Sequence, residues 1–357
     1  MKKQIWLITL ASIILMSSCA KEESESIETI QDRLLKSYIS VVHLDTLQPT
    51  ALGYYVIKIS EGTGATPQIG DWVKWDQTQL SLDETVITTT EEVVARQHGM
   101  YNPYMQTVHY IPNYGYLDEA YIFRVFADAF PNMKEGAKYR LIVPARLLSS
   151  TSSSQSTGYA SYILDVTLRE VIESPQEYEF NEVLAYRSLY YPEIAIDDSI
   201  KYGMYYKTTY VAPDTVWTVD NEGNPLEIIK DTATAYEGVT VYVTYVGRFL
   251  DGFVFDTNII DSAKAHNIYN PSRSYDTLSF VIKGGTVVEG FDRIVQQLKS
   301  GDKGIGFFTS EWGYGIMGSD PNSSSGGYYE EATSTASTII MPFTPLCFDV
   351  TLHRITK

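Results

Sequence analysis

Residues 287–315 read VVEGFDRIVQQLKSGDKGIGFFTSEWGYG, and this stretch places a short helix pattern directly before a strand pattern. Four apolar side chains follow the i, i+3, i+4, i+7 spacing of one helix face, namely Phe291, Ile294, Val295 and Leu298. Asp292 and Lys299 lie at the helix ends that suit their charges, and Gly301 can adopt the left-handed conformation that ends a helix. A helix this short is not stable alone, so we predict that its apolar face packs on a sheet.

The flanking sequence supplies the strands of that sheet. Residues 239–246 and 346–352 alternate between apolar and polar side chains, and shorter β-prone runs lie at 253–255 and 278–282. The order is three strands, a short helix, a strand, a long loop and a final strand. This order predicts an α+β fold in which an antiparallel twisted sheet wraps over one short helix.

Six segments in this half of the chain also resemble a known family. They read VTYVG (243–247), LDGFVFD (250–256), VVEGF (287–291), LKSGDK (298–303), WGYG (312–315) and IIMPFTPLCFDV (339–350). Together, and in this order, they resemble the FKBP-type peptidyl-prolyl cis-trans isomerases over residues 238–355. The resemblance implies an FKBP-like domain and an enzyme that interconverts the cis and trans forms of X-Pro bonds in proline-containing polypeptide clients.

The same resemblance implies a site, an apolar cup lined by aromatic side chains. The implied catalytic residues are Tyr245, Phe255, Asp256, Tyr314 and Phe348. The implied substrate-binding residues are Val287, Val288, Phe291 and Ile339. Phe291 stands where the best-known members have tryptophan, and Ser310 and Trp312 replace the usual proline and tyrosine near Tyr314. In the family's pattern Tyr314 would hold a substrate carbonyl, while Asp256 would orient Tyr245 or the substrate backbone.

Fragments of the N-terminal half repeat those of the C-terminal half. GYYV at 53–56 parallels GMYY at 203–206, MKEGAK at 133–138 parallels LKSGDK, and LDVTL at 164–168 parallels FDVTL at 348–352. A helical spacing precedes each half. We therefore predict two tandem FKBP-like domains.

The first of these predicted domains is degenerate at the implied site. The positions that correspond to Tyr245, Phe255, Asp256, Tyr314 and Phe348 are occupied by Gln77, Ile87, Thr88, Leu148 and Leu164. Pro131 also interrupts the segment that corresponds to the helix, because proline removes a backbone donor and bends the chain. We predict an inactive copy that is kept for structure or binding.

The N-terminus has the pattern of a lipoprotein signal peptide. Lys2 and Lys3 precede an apolar run at 5–16 that is too short to span a bilayer. The small residues before Cys19 resemble a bacterial lipobox, which implies that Cys19 is lipidated, including by palmitate, and anchors the protein to a membrane. A plain secretory signal is the alternative. Residues 20–23 (AKEE) resemble the surface-export signal of Bacteroidota lipoproteins, although an acidic tether would look the same.

These patterns predict both the domain boundaries and the location of the protein. Residues 1–18 are expected to be the signal peptide, 19–40 an acidic tether and helix, 41–173 the degenerate domain, 174–194 a linker helix and 195–357 the isomerase domain. We expect an outer-membrane lipoprotein that faces the periplasm or the cell surface.

Composition limits the partners. The formal net charge of −17 opposes binding to nucleic acid, whose phosphates would be repelled. The five histidines are scattered without metal-ligand spacing, so we expect no metal site and no cofactor. With Cys19 acylated, Cys347 has no partner for an intramolecular disulfide. We expect a monomer.

Two functional classes remain open at this stage. The retained site residues in one copy favour catalysis, whereas the altered surroundings of Tyr314 favour a non-catalytic module that only binds peptide or a partner. Long loops at 257–277 and 316–338 would flank the cup and could contact a client, or they could be surface insertions. A purely structural surface component is the third possibility.

Overall fold

The computed structural model describes residues 26–42, 44, 46–101, 110, 112–118, 122–147, 160–194, 203–213, 215–219, 225–229, 234–319 and 340–356. The predicted signal peptide with Cys19, together with Leu148, Ile339 and most of the 316–338 loop, lies outside these residues. The chain divides into two compact units, formed by the described parts of 1–55 with 142–162 and of 56–141 with 163–357. Within the described ranges, no helix has both the length and the apolar character needed to cross a membrane.

The first unit is organised around one helix. Helix α1 (Ile27–Val41) starts after Ser26, whose hydroxyl accepts the Thr29 N–H and so satisfies a free donor of the first turn. Its apolar side chains Leu35 and Ile39 are buried. Gln31 on α1 accepts the N–H of Ser161.

The second unit holds two sheets and most of the helices. The elements of its first half are β1 (Tyr55–Ser60), β2 (Trp72–Ser81), β3 (Val86–Thr89), α2 (Glu92–Gln97), β4 (Asn113–Tyr116), α3 (Arg124–Ala129), β5 (Lys138–Val143) and β6 (Tyr162–Ile172). The strand ends at 55, 142–143 and 162 belong to the first unit. The strand order is β1-β5-β6-β2-β3, and β4 pairs with β2. A helix, α4 (Pro175–Tyr190), then leads to the second half.

The second half repeats this order of elements. It contains β7 (Met204–Tyr210), a hairpin of β8 (Thr215–Val219) and β9 (Pro225–Ile229), β10 (Thr240–Phe249), β11 (Val254–Thr257), α5 (Ile260–Ala265), β12 (Leu278–Val281), α6 (Glu289–Val295), β13 (Lys303–Phe308) and β14 (Leu346–Thr356). The order β7-β13-β14-β10-β11, with β12 on β10, matches that of the first sheet. All pairs of this sheet are antiparallel.

The strand register shows that β2 and β3 of the first half correspond to β10 and β11 of the second half. Gln79 pairs with Thr88 before a bulge between β2 and β3, and Gly247 pairs with Asp256 before the same bulge between β10 and β11. The predicted fold class is therefore confirmed: the chain is α+β, with two tandem domains of antiparallel sheet and a short helix. Pro131 falls in a 3-10 turn, Phe130–Asn132, that follows the end of α3.

Helix α6 packs on its sheet through the predicted face. Phe291, Ile294, Val295 and Leu298 are all buried, although the α-helix itself ends at Val295 and a turn carries Leu298. The helix can approach β13 closely because that strand carries glycine where a side chain would face the helix. A Cβ at Gly306 would overlap the side chain of Ile294. On the opposite face of the sheet, Val183 of α4 packs with Tyr205 and Phe307.

This close approach predicts coupled effects of substitution on stability. Gly306→Ala should lower the free energy of unfolding by about 1–3 kcal/mol through overpacking. Ile294→Ala should lower it by about 2–5 kcal/mol through a cavity. The added methyl group fills part of that cavity, so the double variant should lose clearly less than the sum when unfolding in denaturant is measured. Additive losses would contradict the proposed contact.

Candidate functional site

Strands β10 and β11 position the predicted tyrosine and aspartate. The Tyr245 N–H is bound by Asn258 Oδ1 at 2.8 Å, and the Tyr245 carbonyl accepts a hydrogen bond from Thr257 Oγ1 at 2.6 Å. These bonds hold the backbone at the point where the two strands begin to pair. Asp256 pairs with Gly247, which lies two residues after Tyr245 on the same face of β10, so the Asp256 and Tyr245 side chains lie side by side.

Gly247 leaves the space in which two aromatic rings pack over strand β10. A Cβ at this position would lie 2.8 Å from carbon atoms of both Phe255 and Phe348, closer than real contacts allow. The glycine is therefore needed for close approach. Its absence of a side chain lets the two rings meet edge to face, with centroids 5.7 Å apart.

The rings predicted to form the cup are in mutual contact. Phe291 lies 5.0 Å from Phe348 and 5.4 Å from Tyr245 between ring centroids, and both pairs are edge to face. Val287 and Val288 are half-buried and pack against the same cluster. The structure thus joins four rings from β10, β11, α6 and β14 into one apolar wall.

The polar groups of the site are also connected. The Tyr245 hydroxyl donates to Asp256 Oδ2 at 2.5 Å. Burial, together with the negative charge of Asp256, raises the pKa of Tyr245. The phenol therefore stays neutral at physiological pH and keeps its proton as a hydrogen-bond donor.

Arg273 completes this polar cluster, and the sequence pattern does not identify it. Its guanidinium donates to Asp256 Oδ1 and, at 3.2 Å, to the Tyr245 hydroxyl. The hydrogen bond with Asp256 raises the pKa of Arg273, so the cation is retained. Arg273 lies in the 257–277 segment predicted as a flanking loop, which in the structure also contains α5. The only sequence signal is a single arginine 17 residues after an aspartate, which is too common to be informative.

Tyr314 is placed differently from the other predicted residues. Its side chain is exposed, and it makes no ring contact with the other aromatic residues that the structure describes. Burial of part of the side chain, followed by the charge of Asp256, raises the pKa of its hydroxyl. Tyr314 therefore stands at the rim of the cup rather than within the aromatic wall. Ile339 lies outside the described residues.

The two unusual residues before Tyr314 have structural partners. Ser310 donates through both its N–H and its hydroxyl to Glu179 of α4, each at 2.9 Å. The Arg293 guanidinium lies 4.1 Å from the ring centroid of Trp312, a cation–π contact. The turn that carries Tyr314 is thus held by the linker helix on one side and by α6 on the other.

The buried carboxyl group of Glu179 makes the stability of the folded chain depend on pH. Burial raises the pKa of Glu179 from 4.5 to about 7, so the folded chain holds this proton more tightly than the unfolded chain does. Its contribution to the free energy of unfolding is therefore fully present below pH 4.5 and is lost as the pH rises through 7. Glu179→Gln, which keeps an acceptor but cannot ionise, should flatten this slope in denaturant titrations across that pH range.

A suitable control is Glu177→Gln, which removes an exposed carboxyl group from the same helix. The control should keep the slope of the wild-type protein. Equal slopes for wild type and Glu179→Gln would show that Glu179 does not titrate as described.

The first domain presents different groups at the corresponding positions. Gln77 occupies the register position of Tyr245, and its Oε1 accepts the Trp75 indole N–H at 3.1 Å. Thr88 occupies the position of Asp256, and Ile87 is exposed. The tyrosine–aspartate pair is therefore absent from these two positions. Among the described residues, no three potential metal ligands come together.

Comparison with known proteins finds a family match within the second domain. The family model of the FKBP-type peptidyl-prolyl cis-trans isomerases matches residues 231–353. A short-type peptidyl-prolyl cis-trans isomerase of Methanocaldococcus jannaschii is 35% identical over 80 residues, which are 22% of this chain and 50% of that protein. The chain thus spans half the length of this relative. Residues 231–353 are therefore similar to the FKBP-type peptidyl-prolyl cis-trans isomerases.

Solved structures with low sequence identity also align with the chain. The three FKBP domains of wheat FKBP73 are 17% identical, with 86% of this chain and 96% of that chain covered and a TM-score of 0.29. FkpA from Escherichia coli is 16% identical, with 48% and 74% covered and a TM-score of 0.31. With such low scores, the similarity to the family rests on the sequence matches.

Proposed function

We propose that the second domain catalyses the cis–trans isomerisation of X-Pro bonds in polypeptides. The observation that carries this proposal is the hydrogen-bonded pair of Tyr245 and Asp256 beside four contacting aromatic rings, within the residues that match the family model. The M. jannaschii relative carries the same activity in its name. The first domain lacks the pair and supports the second.

The reaction needs no nucleophile. Rotation about the peptide bond faces a barrier of about 18–20 kcal/mol because resonance keeps the amide planar. The cis and trans ground states of an X-Pro bond differ by only about 0.5–1 kcal/mol. The twisted amide has lost resonance and part of its dipole, so a dry aromatic wall favours it over the planar form. Differential binding of about 1.4 kcal/mol supplies each tenfold gain in rate.

The polar residues would orient the substrate against this wall. Asp256 and Arg273 hold the Tyr245 hydroxyl in one direction at the edge of the rings. Tyr314, exposed at the rim, is available to donate to a carbonyl next to the proline. In this scheme Phe255, Phe291 and Phe348 exclude water around the prolyl ring, and Val287 and Val288 extend the apolar surface.

A binding module without catalysis is the second candidate. One observation in its favour is Arg273, which already donates hydrogen bonds to both Asp256 and Tyr245. The other is Ser310, which stands in place of the family's usual proline and binds Glu179. In that case the cup would hold extended peptide without lowering the rotational barrier.

The two candidates differ in the rate of isomerisation. We expect the full chain to accelerate isomerisation of a short X-Pro peptide, and Asp256→Ala and Tyr245→Phe each to lower kcat/KM by about tenfold or more, which is about 1.4 kcal/mol of transition-state stabilisation. Thr88→Ala, at the equivalent register position of the first domain, is the matched control and should keep full activity.

A wild-type protein that binds the peptide but does not accelerate its isomerisation would support the binding module. Equal loss of activity in Thr88→Ala and Asp256→Ala would place the activity elsewhere than in the second domain.

We further propose that the protein acts outside the cytoplasm as a lipoprotein anchored through Cys19. The support is the pattern of Lys2, Lys3, the apolar run at 5–16 and the small residues before the cysteine. Mass spectrometry of the mature N-terminus from bacterial expression should find acyl chains on Cys19, and Cys19→Ser should release the protein from membranes. An uncleaved, unmodified N-terminus would contradict the proposal.

A further inference from the structure

Glu179 is a buried acid that has no part in the reaction described above. It is the fifth residue of α4, the helix that leads into the second domain, and it is only 2% exposed. Burial of a carboxyl group costs free energy unless hydrogen bonds replace the lost water. Both of its oxygens bind one residue: Oε2 accepts the N–H of Ser310, and Oε1 accepts its hydroxyl. The two bonds fix the position and the direction of Ser310 relative to α4.

Ser310 passes this restraint on to Tyr314. It begins a 3-10 turn, and its carbonyl accepts the N–H groups of Gly313 and Gly315, each at 2.8 Å. These glycines lie directly before and directly after Tyr314. The backbone on both sides of the tyrosine is therefore bound to the residue that Glu179 holds.

Packing alone does not fix the direction of the Tyr314 side chain. Tyr314 is 39% exposed, and the next two residues, Ile316 and Met317 beyond Gly315, are more exposed still. A side chain at the rim of a site keeps much of its rotational freedom, because few neighbours surround it. The backbone beneath it must therefore set where the hydroxyl points.

The first copy holds its corresponding turn in a similar way. Gln31 is the fifth residue of α1, as Glu179 is of α4. Its Oε1 accepts the N–H of Ser161 at 3.2 Å, and the Ser161 hydroxyl oxygen accepts the N–H of Ala145 at 3.1 Å. Ala145 begins a 3-10 turn, as Ser310 does. An acceptor at the same helix position thus holds this turn in both copies, once through a serine and once directly.

We propose that Glu179 is a positioning residue of the isomerase, which acts through Ser310 to hold the Tyr314 hydroxyl where it can donate to a substrate carbonyl. This inference rests on the proposed function of the second domain. Glu179 does not contact the substrate, since it is buried and Ser310 occupies both of its oxygens. Its contribution is the geometry of the turn, and a displacement of about 1 Å far from the reacting atoms can lower a rate by about a hundredfold.

Single substitutions in the full chain test the attachment through isomerisation of a short X-Pro peptide. Glu179→Ala removes both acceptors and should lower kcat/KM by about tenfold or more. Glu179→Gln keeps an acceptor for the Ser310 N–H and should keep most of the activity, as Gln31 shows that glutamine serves at this helix position. Equal losses in Glu179→Gln and Glu179→Ala would overturn the proposal.

Two controls separate this effect from a general loss of stability. Glu177→Ala removes an exposed carboxyl group from the same helix and should keep full activity. Gln31→Ala breaks the corresponding contact of the first copy and should also keep full activity. A loss in Gln31→Ala as large as that in Glu179→Ala would overturn a role specific to the second domain.

A double variant tests whether Glu179 acts through Tyr314. Tyr314→Phe removes the hydroxyl that Glu179 is proposed to position. In this background Glu179→Ala should lower kcat/KM by less than about twofold, because the group it acts through is already missing. A loss that multiplies in full with that of Tyr314→Phe would show that Glu179 acts elsewhere, and would overturn the proposal.

Proline at position 310 offers a rescue of the folded protein. Thr309 is extended, with φ −67° and ψ 163°, as the residue before a proline must be. Proline also suits the first position of a helical turn, because its φ is already fixed and no N–H is needed there. Ser310→Pro should therefore restore most of the kcat/KM that Glu179→Ala loses. A folded double variant that stays as inactive as Glu179→Ala would overturn the proposal.

Amide hydrogen exchange separates failure of the attachment from failure of the proposed function. Exchange in segment 310–315, measured by mass spectrometry, should be faster in Glu179→Ala than in the wild type and unchanged in Glu179→Gln. Unchanged exchange in Glu179→Ala would overturn the attachment itself. An active wild type whose Glu179→Ala variant exchanges faster but keeps full activity would overturn the positioning role alone. A wild type that does not accelerate isomerisation would overturn the proposed function, and the positioning role with it.

Discussion

The close packing of α6 on its sheet is the contact on which the second domain depends. It is possible only because glycine replaces side chains at the interface: a Cβ at Gly290 would lie 2.6 Å from the Phe308 ring, and one at Gly306 would overlap Ile294. This approach brings Phe291 against Phe348 and Tyr245. The aromatic wall of the proposed site is therefore part of the hydrophobic core, and its rings are held by the same packing that stabilises the fold.

The turn that carries Tyr314 is held by contacts from outside its own sheet. Glu179 of the linker helix binds Ser310, and the N–H of Phe343 donates to the carbonyl of Gly315 at 3.2 Å. The Phe343 ring in turn packs edge to face on Trp72 of the first domain, with centroids 4.8 Å apart. The first domain, which has Gln77 and Thr88 in place of the tyrosine–aspartate pair, thus contacts the segment that carries Tyr314.

Much of the fold and part of the site could be predicted from local patterns. The helix face of α6 and the alternation of β10 and β14 are short-range signals, because side-chain direction follows from spacing alone. The repeated fragments also predict that Gln77 and Thr88 correspond to Tyr245 and Asp256, and the strand register of the two sheets agrees with this correspondence. Arg273 could not be found in this way, because its contact with Asp256 depends on the path of a long segment.

The sequence by itself determined the class of fold, the duplication, and which copy keeps a tyrosine, an aspartate and aromatic residues at the family's positions. These features depend on the spacing of side chains and on the order of motifs along the chain, so they can be predicted without knowing how distant segments pack. The tertiary structure alone decided that Arg273 joins the Tyr245–Asp256 pair, that Glu179 holds Ser310 across 131 residues, and that Phe343 packs on Trp72 of the first domain. Such contacts are fixed by how the domains and loops pack, and chain spacing does not encode packing between distant segments.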